Sequence, residues 1–401
     1  MAPTMNGHLI IYYSNARNSN KNQSLENSLA NILPQFYPLA GRYIKESRTI
    51  DCNDEGAEYL EAQVDCRLDD EQILGQEMKP EQLNCLLPCE FGAADEFNDP
   101  ILSVQVNMFE CGGMAIGFSI SHRISDVTTA TTFLNSWANA CFGKGRENEI
   151  IPCFNSPLYF PGRNIPKLEL GIPRTINDQV FGGPKIVTKR FVFTREAILN
   201  IRSKMVNYTG SRVHLVEGII LRVFLEIARQ KHSGRSTTAL ILQPVDFRDK
   251  TVPPFPNHSC GNLCIFAAAH LINDANLELE RCVNLLSNAV RETIADCAKI
   301  LNSGEDGNMI LINSFNKVTE LLYKSEDLNA IILNSWCRKP FYEADFGWGK
   351  PVWVSLASLP ATNSAILVDT KEGDGIEAWV TLEEKDMSVF QLYQDIKTIT
   401  T

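Results

Sequence analysis

The chain has 401 residues, of which 44% are hydrophobic and 21% charged, so it is long enough for two globular domains of ordinary composition. Its formal net charge of −11 argues against binding to nucleic acid or to an anionic membrane surface. No apolar run reaches the roughly 18–20 residues of a membrane-spanning helix, and the N-terminus has no basic region typical of a signal peptide. Because the cysteines are also scattered along the sequence, we expect a cytoplasmic protein with reduced thiols.

The first part of the chain alternates β-rich runs with helical patterns. The predicted elements are strands at 9–13, 58–64, 101–109 and 113–121 and a helix at 24–33. The turn Glu110-Cys111-Gly112 between the last two strands predicts a hairpin. After His122, apolar residues at spacings of three and four predict a further helix; they are Ala130, Phe133, Leu134, Trp137 and Cys141.

Residues 151–186 are rich in proline and show little periodicity, which predicts an irregular crossover between two domains. We therefore divide the chain into an N-terminal domain (1–165), a crossover linker (166–188) and a C-terminal domain (189–401). The elements predicted in the C-terminal domain are strands at 189–193, 239–245, 263–269, 352–357, 365–369 and 376–382 and helices at 211–229 and 277–301. Together the two halves predict a mixed α/β fold.

The chain lacks several motifs that mark common enzyme classes. The segment Gly117-Phe118-Ser119-Ile120-Ser121 misses the second glycine of a nucleophile elbow, and the sequence has no phosphate-binding loop, dinucleotide fingerprint or H-E-x-x-H pair. Two C-x3-C spacings occur, at Cys85/Cys89 and Cys260/Cys264, but tetrahedral zinc sites usually combine two paired clusters. We therefore expect no metal site.

Two histidines are followed by an aspartate four residues later, His122 by Asp126 and His270 by Asp274. His122 follows an apolar strand and precedes an amphipathic helix, so it is predicted to lie on a strand-to-helix turn. His270 ends an apolar run and leads into a polar loop. An imidazole, with an ordinary pKa of about 6.5, suits a general base near neutral pH. From the spacing alone, a structural histidine that is satisfied by hydrogen bonds is the favoured interpretation of either residue.

The surrounding sequence resembles the plant BAHD acyltransferase family, whose paired signatures are H-x-x-x-D and D-F-G-W-G. Here they stand in the family's order at His122–Asp126 and Asp345–Gly349, more than 200 residues apart. The resemblance covers almost the whole chain and is greatest to the branch of alkaloid acetyltransferases and acylsugar acyltransferases. Further agreeing stretches lie at 36–42, 51–54, 190–193, 246–248, 253–254, 261–262, 335–337 and 373–379.

This resemblance implies a fold and a reaction. The fold would consist of two similar domains of the chloramphenicol-acetyltransferase type, with mixed sheets flanked by helices and an active-site channel between the domains. The reaction would move an acyl group, most simply acetyl, from CoA to a hydroxyl of a specialised metabolite such as an alkaloid alcohol. The implied partners are acyl-CoA, as a co-substrate rather than a bound cofactor, and a small-molecule alcohol. We expect a monomer.

The resemblance also implies roles for single residues. His122 would remove the hydroxyl proton and return it to the departing CoA thiolate. Asp126 would pair with Arg248 and shape the loop that holds His122, instead of completing a catalytic triad. The second motif would form a structural loop near the CoA side, with Asp345, Gly347, Trp348 and Gly349.

Ser211 is the candidate for CoA binding. It precedes the predicted helix 211–229 at a position typical of an N-cap, and free N–H groups at a helix start suit a phosphate or a pantetheine carbonyl. Capping alone explains this serine equally well.

Two departures from the family pattern keep other functions open. Family members usually begin with several dozen residues that have no counterpart here, so we expect a less enclosed acceptor channel and a weaker affinity for the alcohol. Leu221 stands where relatives often have tryptophan. The alternatives to an alkaloid acetyltransferase are an acylsugar acyltransferase and a truncated, catalytically weak relative that acts as a binding protein.

Overall fold

Strands and helices alternate along the chain, and the predicted mixed α/β class is confirmed. The computed structural model describes residues 5–14, 21–70, 73–75, 78–90, 99–143, 149–160, 184–205, 208–233, 237–273, 277–301, 305–324 and 328–397. Its strands are β1 (Asn6–Tyr13), β2 (Arg42–Ile44), β3 (Thr49–Asp51), β4 (Glu58–Val64), β5 (Leu102–Phe109), β6 (Met114–Ser121), β7 (Ile186–Phe193), β8 (Thr237–Asp246), β9 (Cys264–Asn273), β10 (Leu328–Ser335), β11 (Trp353–Ser355), β12 (Ser364–Asp369) and β13 (Ile376–Glu383). Its helices are α1 (Lys21–Ile32), α2 (Val127–Phe142), α3 (Ser156–Tyr159), α4 (Arg195–Lys204), α5 (Arg212–Lys231), α6 (Leu279–Cys297), α7 (Glu305–Lys324), α8 (Glu384–Phe390) and α9 (Gln394–Lys397).

Two mixed sheets organise the molecule. The first has the strand order β11-β1-β6-β5-β4 and contains the predicted hairpin of β5 and β6, while β4 runs parallel to β5. The second has the order β7-β13-β12-β10-β8-β9, and β2 pairs with β3 in a separate two-stranded sheet. Each large sheet is covered by helices, α1 and α2 on the first and α5 and α6 on the second. Within the described ranges, no helix combines the length and the apolar character needed to cross a membrane.

Helix α2 begins directly after the His122 loop, and its apolar face is buried in the first core as the spacing predicted. Phe133 and Trp137 are almost fully buried, and the Trp137 indole N–H donates to the Ser28 hydroxyl at 3.0 Å. The helix ends at Gly143, which adopts a left-handed conformation with φ 70°. Helix α2 is therefore held against α1 in the first core.

Helix α5 packs against α6 through a close approach at Gly218. A Cβ atom at this position would lie 2.4 Å from Cγ2 of Val283, so a larger residue would push the two helices apart. This contact sets the position of α5, and with it the position of Ser211 at the helix start.

One strand crosses the predicted domain boundary. Residues 189–401 were assigned to the second domain, yet β11 pairs with β1 in the first sheet, with Ile10 opposite Ser355 and Tyr12 opposite Trp353. The C-terminal half thus completes the first sheet, because a strand partner can come from any distance along the chain. The linker prediction falls mostly on 161–183, outside the described residues, and its last three positions belong to β7.

Other elements also differ from their predictions. Helices α4 and α7 and strand β10 were not predicted, and β11 is shorter than the strand expected at 352–357. His270 lies within β9, opposite Leu240, instead of ending a strand, and its side chain is exposed. Asp274, four positions later, lies outside the described residues. His270 therefore lies inside a strand, whereas His122 directly follows the last residue of β6.

Candidate active site

His122 lies where β6 ends and the loop to α2 begins. Its backbone N–H donates to the carbonyl of Met5 at 2.9 Å, which ties the loop to the segment that leads into β1. The side chain is half-buried. Burial lowers the pKa of the imidazole below its ordinary value, and the nearby Asp126 and hydrogen bonds with the backbone of His122 and Ser125 oppose this shift only in part. The ring is therefore neutral, and able to accept a proton, at neutral pH.

Asn262 holds the His122 loop from the second half of the chain. Its side-chain Nδ2 lies 2.8 Å from the carbonyl oxygen of His122 and 3.1 Å from Nδ1 of the ring. Because a carbonyl can only accept, the amide must direct its NH₂ group toward His122. The amide oxygen accepts from the Cys264 thiol at 3.1 Å, which favours the same orientation. Gly261-Asn262 belongs to the stretches that resemble the family, but no local pattern in the sequence predicts this contact with His122.

A cavity of about 30 Å³ lies beside His122. This volume accommodates a group of the size of a hydroxyl or a water molecule. Its walls come from β1, β6, the His122 loop, α2 and the segment after β10. The lining residues include Leu9, Phe118, Ser125, Trp336 and Phe341. The imidazole thus meets a mostly apolar space to which both halves of the chain contribute.

Asp126 forms a buried ion pair with Arg248. Its two carboxylate oxygens lie 2.7 and 3.0 Å from the two terminal guanidinium nitrogens. The same oxygens accept the backbone N–H of Thr129 at 2.9 Å, as the N-cap of α2, and that of Leu263 at 3.0 Å. A carboxylate offers about four lone-pair positions, and these four bonds occupy them. Asp126 therefore acts on the imidazole through its field instead of through a triad hydrogen bond.

Arg248 extends from the end of β8 into the turn that leads to Asn262. Its guanidinium donates to the carbonyls of Ser259 at 2.8 Å and Gly261 at 3.0 Å, and it lies 3.0 Å from Asp246. Burial opposes its charge, but Asp126 and Asp246 outweigh this and raise the pKa of Arg248 further. The arginine therefore remains charged and fastens the Asn262 turn to the His122 loop.

The second motif is a tight turn. One carboxylate oxygen of Asp345 accepts the N–H of Gly347 at 2.8 Å and that of Gly349 at 3.0 Å. Both glycines have positive φ values, 103° and 108°, in a region that side chains with a Cβ rarely adopt. These contacts explain the residues of the motif by the turn itself.

Aromatic contacts and one hydrogen bond hold this turn against β1 and α2. Phe346 stacks on Trp348 with ring centroids 5.6 Å apart and meets Trp137 of α2 edge-on at 4.9 Å. The Tyr13 hydroxyl of β1 donates to the carbonyl of Ala344 at 2.7 Å. The turn therefore packs on the first sheet and α2, although its sequence lies in the second half of the chain.

Ser211 is the N-cap of α5. Its hydroxyl oxygen accepts the N–H of Val213 at 3.1 Å, and its carbonyl accepts the Tyr208 hydroxyl at 2.8 Å. Next to it, Arg212 pairs with Asp369 at 2.6 Å. The geometry accounts for Ser211 as a cap, and contact with CoA remains a prediction.

The cysteines near Asn262 are thiols. Burial raises the pKa of both Cys260 and Cys264 to about 12, so neither is a thiolate at neutral pH. Their sulfurs donate to the carbonyl of His258 and to the Asn262 amide oxygen. The described part of the chain contains no group of three or more histidine, cysteine or acidic side chains that could hold a metal ion.

Comparison with known proteins identifies relatives along the whole chain. Residues 2–396 match the model of the Transferase family. A pelargonidin 3-O-(6-caffeoylglucoside) 5-O-(6-O-malonylglucoside) 4'''-malonyltransferase from Salvia splendens is 34% identical, over 97% of this chain and 90% of its own. Stemmadenine O-acetyltransferase from Catharanthus roseus is 33% identical, over 95% of this chain and 87% of its own.

The fold agrees with these matches. The crystal structure of vinorine synthase superposes with a TM-score of 0.81 and 31% identity, and covers 100% of this chain and 91% of the other. The expected chloramphenicol-acetyltransferase-like fold is thereby confirmed. The chain belongs to the Transferase family of plant BAHD acyltransferases and is, like them, an acyl-CoA-dependent O-acyltransferase.

Proposed function

We propose that the protein transfers an acetyl group from acetyl-CoA to a hydroxyl of a small specialised metabolite, with His122 as the general base. The observation that carries this proposal is the placement of His122. The ring lies at the end of β6, beside Asn262 and a small cavity, and burial keeps it neutral at neutral pH. A positioned neutral imidazole is the group that an alcohol needs in order to attack a thioester.

The proposed reaction has two proton transfers. His122 accepts the hydroxyl proton as the alcohol oxygen forms its bond to the thioester carbonyl carbon. Collapse of the tetrahedral intermediate breaks the carbon–sulfur bond, and the imidazolium returns its proton to the CoA thiolate. The products are an ester and free CoA. Since the alcohol attacks the thioester directly, the reaction requires no acyl-enzyme and no nucleophilic serine or cysteine.

Acyl-CoA in this proposal is a dissociable co-substrate that binds against the first turn of α5. Ser211 and the N–H groups that follow it supply donors for a phosphate or a pantetheine carbonyl. For the acceptor we propose an alkaloid alcohol, on the grounds of similarity to stemmadenine O-acetyltransferase. The similarity to a malonyltransferase makes malonyl-CoA the second donor to test. The enzyme would act in the cytoplasm as a monomer.

The test is a panel of alkaloid, sugar and phenolic alcohols with acetyl-CoA and malonyl-CoA, and mass spectrometry as the readout. The proposal expects an ester product that His122→Ala reduces by about 10²–10⁴-fold, with CoA affinity in calorimetry unchanged. His270→Ala is the matched control, because His270 also precedes an aspartate by four residues but is exposed on β9. More than a tenth of the activity left in His122→Ala, or equal damage in the control, would exclude His122 as the base.

A further inference from the structure

A lysine of the segment after β10 reaches the start of α2. The ammonium of Lys339 donates to Oδ2 of Asp246 at 3.2 Å and to the hydroxyl of Thr128. Thr128, the second residue of α2, donates its own hydroxyl proton to the same oxygen of Asp246 at 2.6 Å. The Lys339 side chain is only 21% exposed. These contacts join three segments that are far apart in sequence.

The backbone reinforces this junction. The side-chain NH₂ of Asn135, two turns further along α2, donates to the carbonyl of Pro340 at 3.1 Å. The residues after Lys339 lead directly into the turn of the second motif, whose Phe346 packs on α2. The side chain of Lys339 and the carbonyl of the next residue are therefore both hydrogen-bonded to α2.

Lys339 completes a chain of alternating charges. Asp246 contacts Lys339 with one carboxylate oxygen and Arg248 with the other, and Arg248 in turn binds Asp126. Two carboxylates and two cations balance each other. Burial alone would raise the pKa of Asp246, but Arg248 and then Lys339, with the hydrogen bonds from Thr128 and Arg248, lower it to about 2. Asp246 and Arg248 are therefore charged at neutral pH.

We propose that Lys339 is a positioning residue of the transfer reaction, which fixes the Asp246 end of this network and completes its charge balance beside His122. The inference rests on the proposed function, since it concerns the base of that reaction. Loss of Lys339 would leave a net charge of −1 in a partly buried network whose Asp126 end already acts on the imidazole. A negative field favours the protonated ring and so removes the base.

Few other charges face the ring among the described residues. The ring is surrounded by Asp126 on its own loop, the neutral Asn262 before β9 and Cys264 at the first position of β9, the apolar Trp336 and Phe341 across the cavity, and His8 of β1, whose pKa burial lowers to about 4. Arg123, the next residue of the loop, places its guanidinium over the Tyr43 ring, 4.0 Å from the ring centroid. A change in the network charge is therefore expected to reach His122 with little compensation.

The test compares Lys339→Met with Lys350→Met. Lys350 pairs with Glu343 on the same segment, but both of these side chains are more than half exposed. We expect Lys339→Met to move the acidic limb of the kcat/KM–pH profile to higher pH. Its activity loss should be about threefold or more greater at pH 6 than at pH 8, whereas Lys350→Met follows the wild type. Lys339→Arg, which keeps the charge, should restore the limb.

A charge-balanced double variant separates field from structure. Lys339→Met with Asp246→Asn removes one charge of each sign, so the acidic limb should return toward its wild-type position although two contacts are lost. An unmoved limb in Lys339→Met, or a double variant displaced further than the single one, overturns the proposal. Should Lys339→Met not fold, Lys339→Gln provides the same neutral charge with a polar end for Thr128.

A second readout does not depend on an acceptor. Diethylpyrocarbonate modifies the neutral imidazole, and the His122→Ala variant supplies the background from the other histidines. The rate of modification of His122 at pH 6 should fall in Lys339→Met and remain unchanged in Lys350→Met. A wild type without any transfer activity would contradict the proposed function, whereas equal modification rates would contradict the role of Lys339 alone.

Discussion

The buried pair of Asp126 and Arg248 offers a quantitative test of how the site is held together. Asp126→Asn keeps the side-chain shape and an oxygen for the N-cap of α2, but it removes the negative charge. Arg248→Met keeps most of the side-chain length and leaves Asp126 without its two guanidinium bonds of 2.7 and 3.0 Å. Both residues are less than a tenth exposed, so each single change leaves an unbalanced charge in a buried network.

The expected magnitude follows from that burial. Removing one partner of a buried pair destabilises a protein by about 3–5 kcal/mol, because the remaining charge has lost its compensation. In the double variant neither charge is left. Its loss of unfolding free energy should therefore be smaller than the sum of the two single losses by at least about 2 kcal/mol. Arg248→Met should be the more damaging single change, since Arg248 also binds the carbonyls of Ser259 and Gly261.

The assay is urea unfolding of the four proteins at constant pH, followed by circular dichroism and compared as a double-mutant cycle. The control cycle removes Lys299 and Asp296, whose pair at 2.7 Å is exposed on both sides, and should leave the urea midpoint unchanged. Additive losses in the Asp126 and Arg248 cycle, within about 0.5 kcal/mol, would refute the reasoning from stranded charge.

Three further predictions concern single residues. Burial raises the pKa of Glu217 to about 8 from an ordinary 4.5, so its contribution to stability is complete below pH 4.5 and is lost as the pH rises through 8. The wild type should therefore lose on the order of 4 kcal/mol of unfolding free energy between pH 5 and 9, measured by urea unfolding, and Glu217→Gln should abolish this loss. Gly347→Ala should destabilise the protein by about 1–3 kcal/mol, and by more than Gly349→Ala. Both positions have a positive φ, but only at Gly347 would an added Cβ meet the Phe142 side chain, at 2.9 Å. Equal shifts of the thermal midpoint in the two variants would contradict this. Burial lowers the pKa of His122, so kcat/KM should still be constant when the pH is lowered to 6.5 and should fall only at more acidic pH. A decrease that already begins above pH 6.5 would contradict a lowered pKa.

Local periodicity was sufficient for the elements around His122. Strand β6 and helix α2 have clear apolar patterns, and the fold class follows from such elements. Helix α7 and strand β10 were missed because their apolar residues are interrupted by asparagine, glycine and charged side chains. Such interrupted patterns become helix or strand only through packing on neighbours that the sequence does not place.

The contacts of the site itself depend on chain segments that are distant in sequence. The pairing of Asp126 with Arg248 was predictable only through the family resemblance, because no local pattern links positions so far apart. Asn262 and Lys339 were missed as site residues for the same reason. The spacing of histidine and aspartate occurs twice in the sequence, and only burial in the structure distinguishes the two histidines. His122 is half-buried where β6 leads into α2, whereas His270 is exposed on an edge strand.

The pairing of β11 with β1 has a consequence for biosynthesis. Strand β1 leaves the ribosome long before its neighbour at the sheet edge, Trp353–Ser355, which is translated more than 300 residues later. Until β11 is translated, one edge of β1 therefore presents unpaired N–H and C=O groups, which are a template for aggregation. The first sheet cannot be completed before β11 has been translated. Nascent chains that stop before residue 353 should depend on chaperones for solubility, whereas release of the full chain should relieve that dependence.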